Sequence, residues 1–145
     1  MKKIILFSLF LCFAVSNVNA QKTNKPVGII SSGSSVKKFH EKSELDAMTK
    51  GPLIELYKER IKVLVNTLPY IALTTKQGVT LADVGVPATE EMDKALQTQK
   101  TATDIFLKAT IDFQTTMTAF ADKINIINSI LYYESMLKSI ETINE

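Results

Sequence analysis

The side chains that most often carry out chemistry in proteins are scarce in this chain. His40 is its only histidine and Cys12 its only cysteine, and a lone histidine cannot build a typical zinc site. Serines and threonines are plentiful, but the sequence has no Gly-x-Ser-x-Gly elbow and no glycine loop that could cradle a phosphate. We therefore expect no catalytic, metal-binding or cofactor-binding residue, and we predict that the protein is not an enzyme.

Carboxylates are more numerous, but their spacing does not predict an acid–base pair. Asp104, Asp112 and Asp122 are separated by gaps of eight and ten residues, which do not hold them on one face of a helix. Glu90 and Glu91 begin a long stretch without glycine or proline, where negative charge stabilises the positive end of a helix dipole. We interpret these acids as solvated or helix-stabilising residues.

Residues 1–20 have the three-part layout of a secretory signal peptide. Lys2 and Lys3 precede an apolar run over residues 4–15, and a short segment of polar and small residues ends at Ala20. The run is shorter than the roughly 20 residues that span a membrane. We expect cleavage before Gln21, no transmembrane span in the mature chain, and export to the periplasm, the envelope or the exterior. The cleavage segment resembles those of exported proteins of Gram-negative bacteria.

Cleavage would change both the charge and the redox chemistry of the chain. Lys2 and Lys3 would leave with the signal, so the excess of 17 basic over 15 acidic residues would disappear. A neutral protein without a basic cluster is a poor nucleic-acid binder. Cys12 would leave too, and the mature chain would then hold no disulfide.

The mature chain divides into a predicted tether and a helical domain. Residues 21–42 contain Pro26, two glycines and a serine cluster without apolar periodicity, which predicts a flexible segment, part of which could pair as a short strand or dock on the domain. The domain is expected over residues 43–145. Within it, apolar residues at steps of three and four predict a helix at about 52–75 with a kink or restart at Pro69, followed by a loop at 76–88.

The span 89–144 is predicted to be one long helix, or two helices with a bend near Ala121 and Asp122. It contains neither glycine nor proline, and unbroken it would extend about 85 Å. Large apolar residues recur in it every seven residues, which is typical of coiled-coil packing. The residues predicted to form this helix-packing core are Phe106, Phe113, Met117, Phe120 and Ile127.

A second apolar stripe lies on another side of the same span. A helix that is apolar on two sides needs two neighbours, and one short helix cannot cover both stripes. We expect either a third helix that folds back or a second chain that covers the uncovered stripe, with the unbroken heptad pattern favouring the second chain. The residues predicted to form this interaction surface are Ile126, Ile130, Tyr133, Leu137 and Ile140.

These patterns together predict an all-α protein. We expect an elongated antiparallel helical hairpin or a small helical bundle with a long, coiled-coil-like C-terminal helix. The expected role is that of an exported, non-enzymatic interaction protein of the bacterial envelope, which binds copies of itself or another envelope protein through helix–helix contacts. One alternative is a carrier that holds an apolar small molecule between helices, near Phe106, Phe113 and Phe120. Another is an inhibitor or immunity-type binder of an exported enzyme.

Overall fold

The computed structural model describes residues 27–143, and all of the regular secondary structure in this range is helical. The all-α prediction is therefore confirmed. The predicted signal peptide lies outside the described residues. None of the described helices is both long and apolar enough to span a bilayer. The α-helices are α1 (Lys42–Ala47), α2 (Lys50–Thr67), α3 (Glu90–Met117) and α4 (Lys123–Glu141), with 3-10 turns at Leu68–Tyr70, Ala82–Val84 and Thr118–Phe120.

Helix α2 ends where proline removes a backbone donor. Its regular hydrogen bonding stops at Thr67, and Pro69 lies inside the 3-10 turn that follows. Proline cannot donate the amide hydrogen bond that the next turn of an α-helix requires. The helix is consequently shorter than the expected span of 52–75, and the chain leaves the helix close to the predicted restart.

Helices α3 and α4 are separate because the chain breaks after a run of threonines. The hydroxyls of Thr115, Thr116 and Thr118 each donate to the carbonyl four residues earlier. Such bonds compete with the helical ladder and tend to bend helices, and threonine itself has modest helix propensity. Ala121 and Asp122 are extended, and α4 then begins. Of the two alternatives for residues 89–144, the chain therefore adopts two helices.

Helix α2 lies between the two long helices and contacts both of them. Leu53, near its start, packs against Ile126 near the start of α4, while Leu64, near its end, packs against Ile140 near the end of α4. These two helices are therefore parallel. Helix α3 runs the opposite way, since Lys50 at the start of α2 donates to the carbonyl of Ala119 just after α3, whereas Tyr70 just after α2 packs with Leu96 near the start of α3. Direct contacts between α3 and α4 are few.

The second apolar side of α4 is covered by the segment that precedes α2. Leu45 of α1 packs with the first turns of α4, and Phe39 packs near its end. The ammonium of Lys138 also lies 5.0 Å above the centre of the Phe39 ring. Two neighbours thus cover the two apolar sides of α4, and both belong to the same chain.

Parts of residues 27–42, the described portion of the predicted tether, pack on the rest of the chain. Ile29 and Ile30 are buried, and Ile29 N donates to Val79 O at 2.6 Å in the loop between α2 and α3. Glycine at position 28 permits this close approach, since a Cβ there would lie only 3.0 Å from the Cα of Gly78. The segment therefore docks on the body of the protein, which was the alternative to flexibility.

Candidate functional site

The most unusual surface of the described structure is an apolar strip at the C-terminal end of α3 and in the turn after it. Phe106, Phe113, Met117 and Phe120, called the α3 strip below, are 56%, 58%, 49% and 84% exposed. Their steps of seven, four and three residues keep them on one side of the helix. The strip is about 21 Å long at 1.5 Å per residue.

Helix α3 leaves this strip uncovered because it packs on one neighbour only. Thr103 and Leu107 are its buried residues, and they lie on the face that meets α2. Phe106 precedes Leu107 by one residue, so it points about 100° away around the helix axis. Since α4 packs on α2 and contacts α3 little, no described helix covers the side on which the strip lies.

The exposed area of the strip is large for a protein of this size. A phenylalanine side chain has on the order of 200 Å² of surface, so the three phenylalanines together expose about 400 Å². Soluble monomers rarely expose a contiguous apolar patch of more than a few hundred Å², and such patches commonly mark interaction sites. The strip is therefore the candidate functional surface.

The structure exchanges the roles predicted for the two apolar stripes. The stripe predicted to be an exposed interaction surface lies against α2 and the N-terminal segment, and that prediction is wrong. Its residues are Ile126, Ile130, Leu137 and Ile140, which are buried, and Tyr133, which is half-buried and stacks on Tyr57.

The predicted helix-packing core is also mostly wrong. Of its five residues only Ile127 is buried, and the four residues of the α3 strip are exposed. The physical reason is the break at Thr118–Asp122, which places Ile127 in a different helix from the phenylalanines. Helix α3 meets α2 through the face that carries Thr103 and Leu107, so its phenylalanines stay outside the core.

A buried polar cluster, which we call the clasp, joins the N-terminal segment to α2 and α4. Arg60 of α2 and Glu134 of α4 are 1% and 2% exposed. Arg60 donates to Glu134 Oε1 through Nε at 2.9 Å and through Nη2 at 2.7 Å. Arg60 Nη2 also donates to the carbonyl of Lys38, and the backbone amide of His40 donates to Glu134 Oε2, both at 2.7 Å. The clasp thereby fixes residues 38–40 on the helices.

The charge on Glu134 is stabilised by these partners. Burial alone would raise the pKa of its carboxyl, but the hydrogen bonds from His40 and Arg60 and the charge of Arg60 outweigh burial and lower the pKa. Arg60 Nη1 makes no hydrogen bond within the described residues, although Glu59 Oε2 lies 3.3 Å away. The contacts in the clasp thus favour the carboxylate form of Glu134 in a pair that is shielded from solvent.

The imidazole of His40 can join the clasp in either neutral tautomer. Its Nδ1 lies 3.1 Å from Glu134 Oε1 and 3.3 Å from Arg60 Nη2. In the tautomer with a hydrogen on Nδ1 it donates to the carboxylate, and in the other tautomer Nδ1 accepts from the guanidinium. The ring also lines an open groove of about 520 Å³ beside Glu55 and Glu59. No serine, threonine or cysteine lines that groove.

The clasp is the feature that the sequence analysis missed. Its three side chains come from positions 40, 60 and 134, and only the packing of α2 against α4 brings them together. A signal was present in the sequence: Glu134 interrupts the apolar stripe of α4, one residue after Tyr133 and three before Leu137. A carboxylate at such a position requires a buried cationic partner.

Residues 27–143 contain no group of three or more His, Cys, Asp and Glu side chains placed to hold a metal ion. None of the three cavities characterised on their surface is lined by residues of the α3 strip, whose phenylalanines are exposed.

Comparison of the chain with protein-family models, with curated protein sequences and with solved structures finds no match.

Proposed function

We propose that the protein is a non-enzymatic interaction protein of the bacterial envelope that docks through the α3 strip. The observation that carries the proposal is the exposure of Phe106, Phe113 and Phe120 at seven-residue intervals on one side of α3. This spacing matches the repeat with which a second helix packs along the first. Large aromatic side chains are also the residues that contribute most to protein–protein affinity.

The helix that carries this face is attached to a body held together within the chain. The clasp and the packing of α4 on both of its sides hold α2 and α4 together, and α3 packs on α2. The strip is thus an apolar surface that takes no part in the hydrophobic core, and a partner can cover it without unfolding any helix. Pre-organised surfaces lose less entropy on binding.

The cellular location in this proposal rests on the sequence of residues 1–20. A charged start, an apolar run and a small residue at position 20 would direct the chain into the export pathway. The partner would then be another envelope protein or a second copy of this chain. An inhibitor of an exported enzyme would use the same face, and the identity of the partner separates the two roles.

Site-specific photo-crosslinking in the native host tests the proposal. A photoreactive phenylalanine analogue is placed at position 113 of the full chain in one strain, and at position 101 in the control strain. Thr101 is exposed and lies on the same helix about 120° around the axis from Phe113, so it is accessible but points to a different side of the helix.

We expect a discrete adduct from position 113 that is absent from position 101, with mass spectrometry identifying an envelope protein or this chain as the partner. Equal adducts from both positions would indicate non-specific contact, and the absence of any adduct would indicate an unoccupied surface. Either result would contradict the proposal.

A further inference from the structure

We infer that the partner of the α3 strip is a second copy of this chain, with the two α3 helices antiparallel across a two-fold axis near Phe113. This inference rests on the proposed function and specifies its partner. It is carried by three properties of the strip: its symmetry, its lack of charge and its area.

The strip is symmetric about Phe113. Phe106 and Phe120 lie seven residues to either side of it, while Ala109 and Met117 lie four residues to either side. In an antiparallel pair centred on Phe113, each Phe106 faces a Phe120 of the other copy, and each small Ala109 faces a large Met117. A two-fold interface requires such self-complementarity.

The residues of the strip itself carry no charge, and few charges lie beside it. Ala102, Ala109 and Thr116 border one side of it and Gln114 borders the other. The charged residues of this part of α3 are Asp104, Lys108 and Asp112, which lie about 180°, 140° and 100° around the axis from Phe113. Asp112, the nearest of them, is paired within its own chain with Lys108 at 3.4 Å. Charged flanking residues usually select a different partner or a fixed orientation in helix pairs, and two copies meet here with little like-charge repulsion.

The area of the strip indicates a dimer of modest affinity. Each copy would bury about 400 Å² of aromatic surface together with Met117 and the small flanking residues, against roughly 800 Å² per partner in a standard interface. Such an interface lies at the small end of specific complexes. We expect a dissociation constant on the order of micromolar.

Sedimentation velocity of the full chain over a range of concentrations tests the inference. The wild type should shift from monomer to dimer across the micromolar range, and Phe113→Glu should weaken the dimer about 100-fold. The control Thr101→Glu adds the same charge to an exposed position of α3 about 120° around the axis from Phe113, and it should dimerise as the wild type does. A wild type that stays monomeric at all concentrations, or equal weakening by both variants, would overturn the inference.

Disulfide trapping tests the orientation in a Cys12→Ser background. Phe113→Cys should cross-link to itself, and a mixture of Phe106→Cys with Phe120→Cys should cross-link as a heterodimer. Preferential Phe106→Cys homodimers would indicate a parallel pair and overturn the two-fold arrangement. If the purified chain is monomeric while crosslinking in the host identifies a different envelope protein, self-pairing fails and the proposed function stands.

Discussion

Replacing Glu134 with glutamine removes the negative charge that neutralises Arg60 in the core. Arg60 is 1% exposed and donates to Glu134 Oε1 through both Nε and Nη2. Loss of one partner from a buried ion pair leaves the other charge without solvent and without compensation, which costs about 3–5 kcal/mol. The Glu134→Gln variant should therefore have a free energy of unfolding lower by about that amount.

A second variant separates the cost of an orphaned charge from the net contribution of the pair. Arg60→Met combined with Glu134→Leu removes both charges and fills the space with apolar atoms. Replacing a whole buried pair in this way is often neutral or stabilising, so the double variant should recover most of the stability lost in Glu134→Gln. The backbone amide of His40 and the carbonyl of Lys38 would lose their partners, which limits the recovery.

Urea unfolding followed by circular dichroism measures these free energies in all the variants. If Glu134→Gln unfolds within about 0.5 kcal/mol of the wild type, the ion pair is not the buried, compensated pair described above. If the double variant is less stable than Glu134→Gln, the clasp contributes net stability, and the reasoning from desolvation is wrong.

Four further predictions concern burial, pH, an unpartnered hydroxyl and processing. Ile130→Ala should lower the free energy of unfolding by about 2–5 kcal/mol because Ile130 is fully buried. Phe113→Ala should lower it by well under half as much because most of the Phe113 ring is already exposed. Chemical denaturation of the two variants makes the comparison. The pKa of Glu134 in the folded protein lies below its ordinary value of 4.5. The contribution of Glu134 to the free energy of unfolding should therefore be complete above pH 4.5 and be lost as the pH falls through the lower folded-state pKa. Thermal melts from about pH 7 to about pH 2 should show that Glu134→Gln lacks this part of the acid destabilisation. Tyr70→Phe should leave the melting temperature unchanged or raise it, because the Tyr70 hydroxyl is buried without a hydrogen-bond partner among the described residues; a lower melting temperature would indicate a bound partner. Mass spectrometry of the protein from its host should find Gln21 at the N-terminus, and an intact Met1 would contradict cleavage.

The helical class and most helix ends could be predicted from residues that act locally. Pro69 ends α2 by removing a backbone donor, and Thr89 caps α3 by accepting from Met92 N at 3.3 Å. The sequence allows either one continuous helix over 89–144 or a bend near Ala121, and the threonines before Ala121 favour the bend. Each of these features depends only on residues within a few positions of it.

The faces of the helices could not be assigned in the same way. Phe113 and Ile130 both belong to seven-residue or four-residue apolar series, and periodicity alone does not say which series meets α2. Which series is buried depends on the chain reversal between α3 and α4 and on the packing of residues 36–45 against α4. Residues 36–45 have no apolar period of their own. The clasp depends on residues up to 94 positions apart, so no local pattern reveals it.

Solvent protection of position 113 tests the central proposal most directly. The Phe113→Cys and Thr101→Cys variants, each in a Cys12→Ser background, are labelled with a maleimide in the intact envelope of the host and again as dilute purified protein. An occupied α3 strip should make Phe113→Cys react at least about tenfold more slowly in the envelope than in dilute solution, while Thr101→Cys, at an exposed position on another side of α3, reacts alike in both. Equally fast labelling of both variants in the envelope would show that the strip is bare there, and would contradict its assignment as the docking surface.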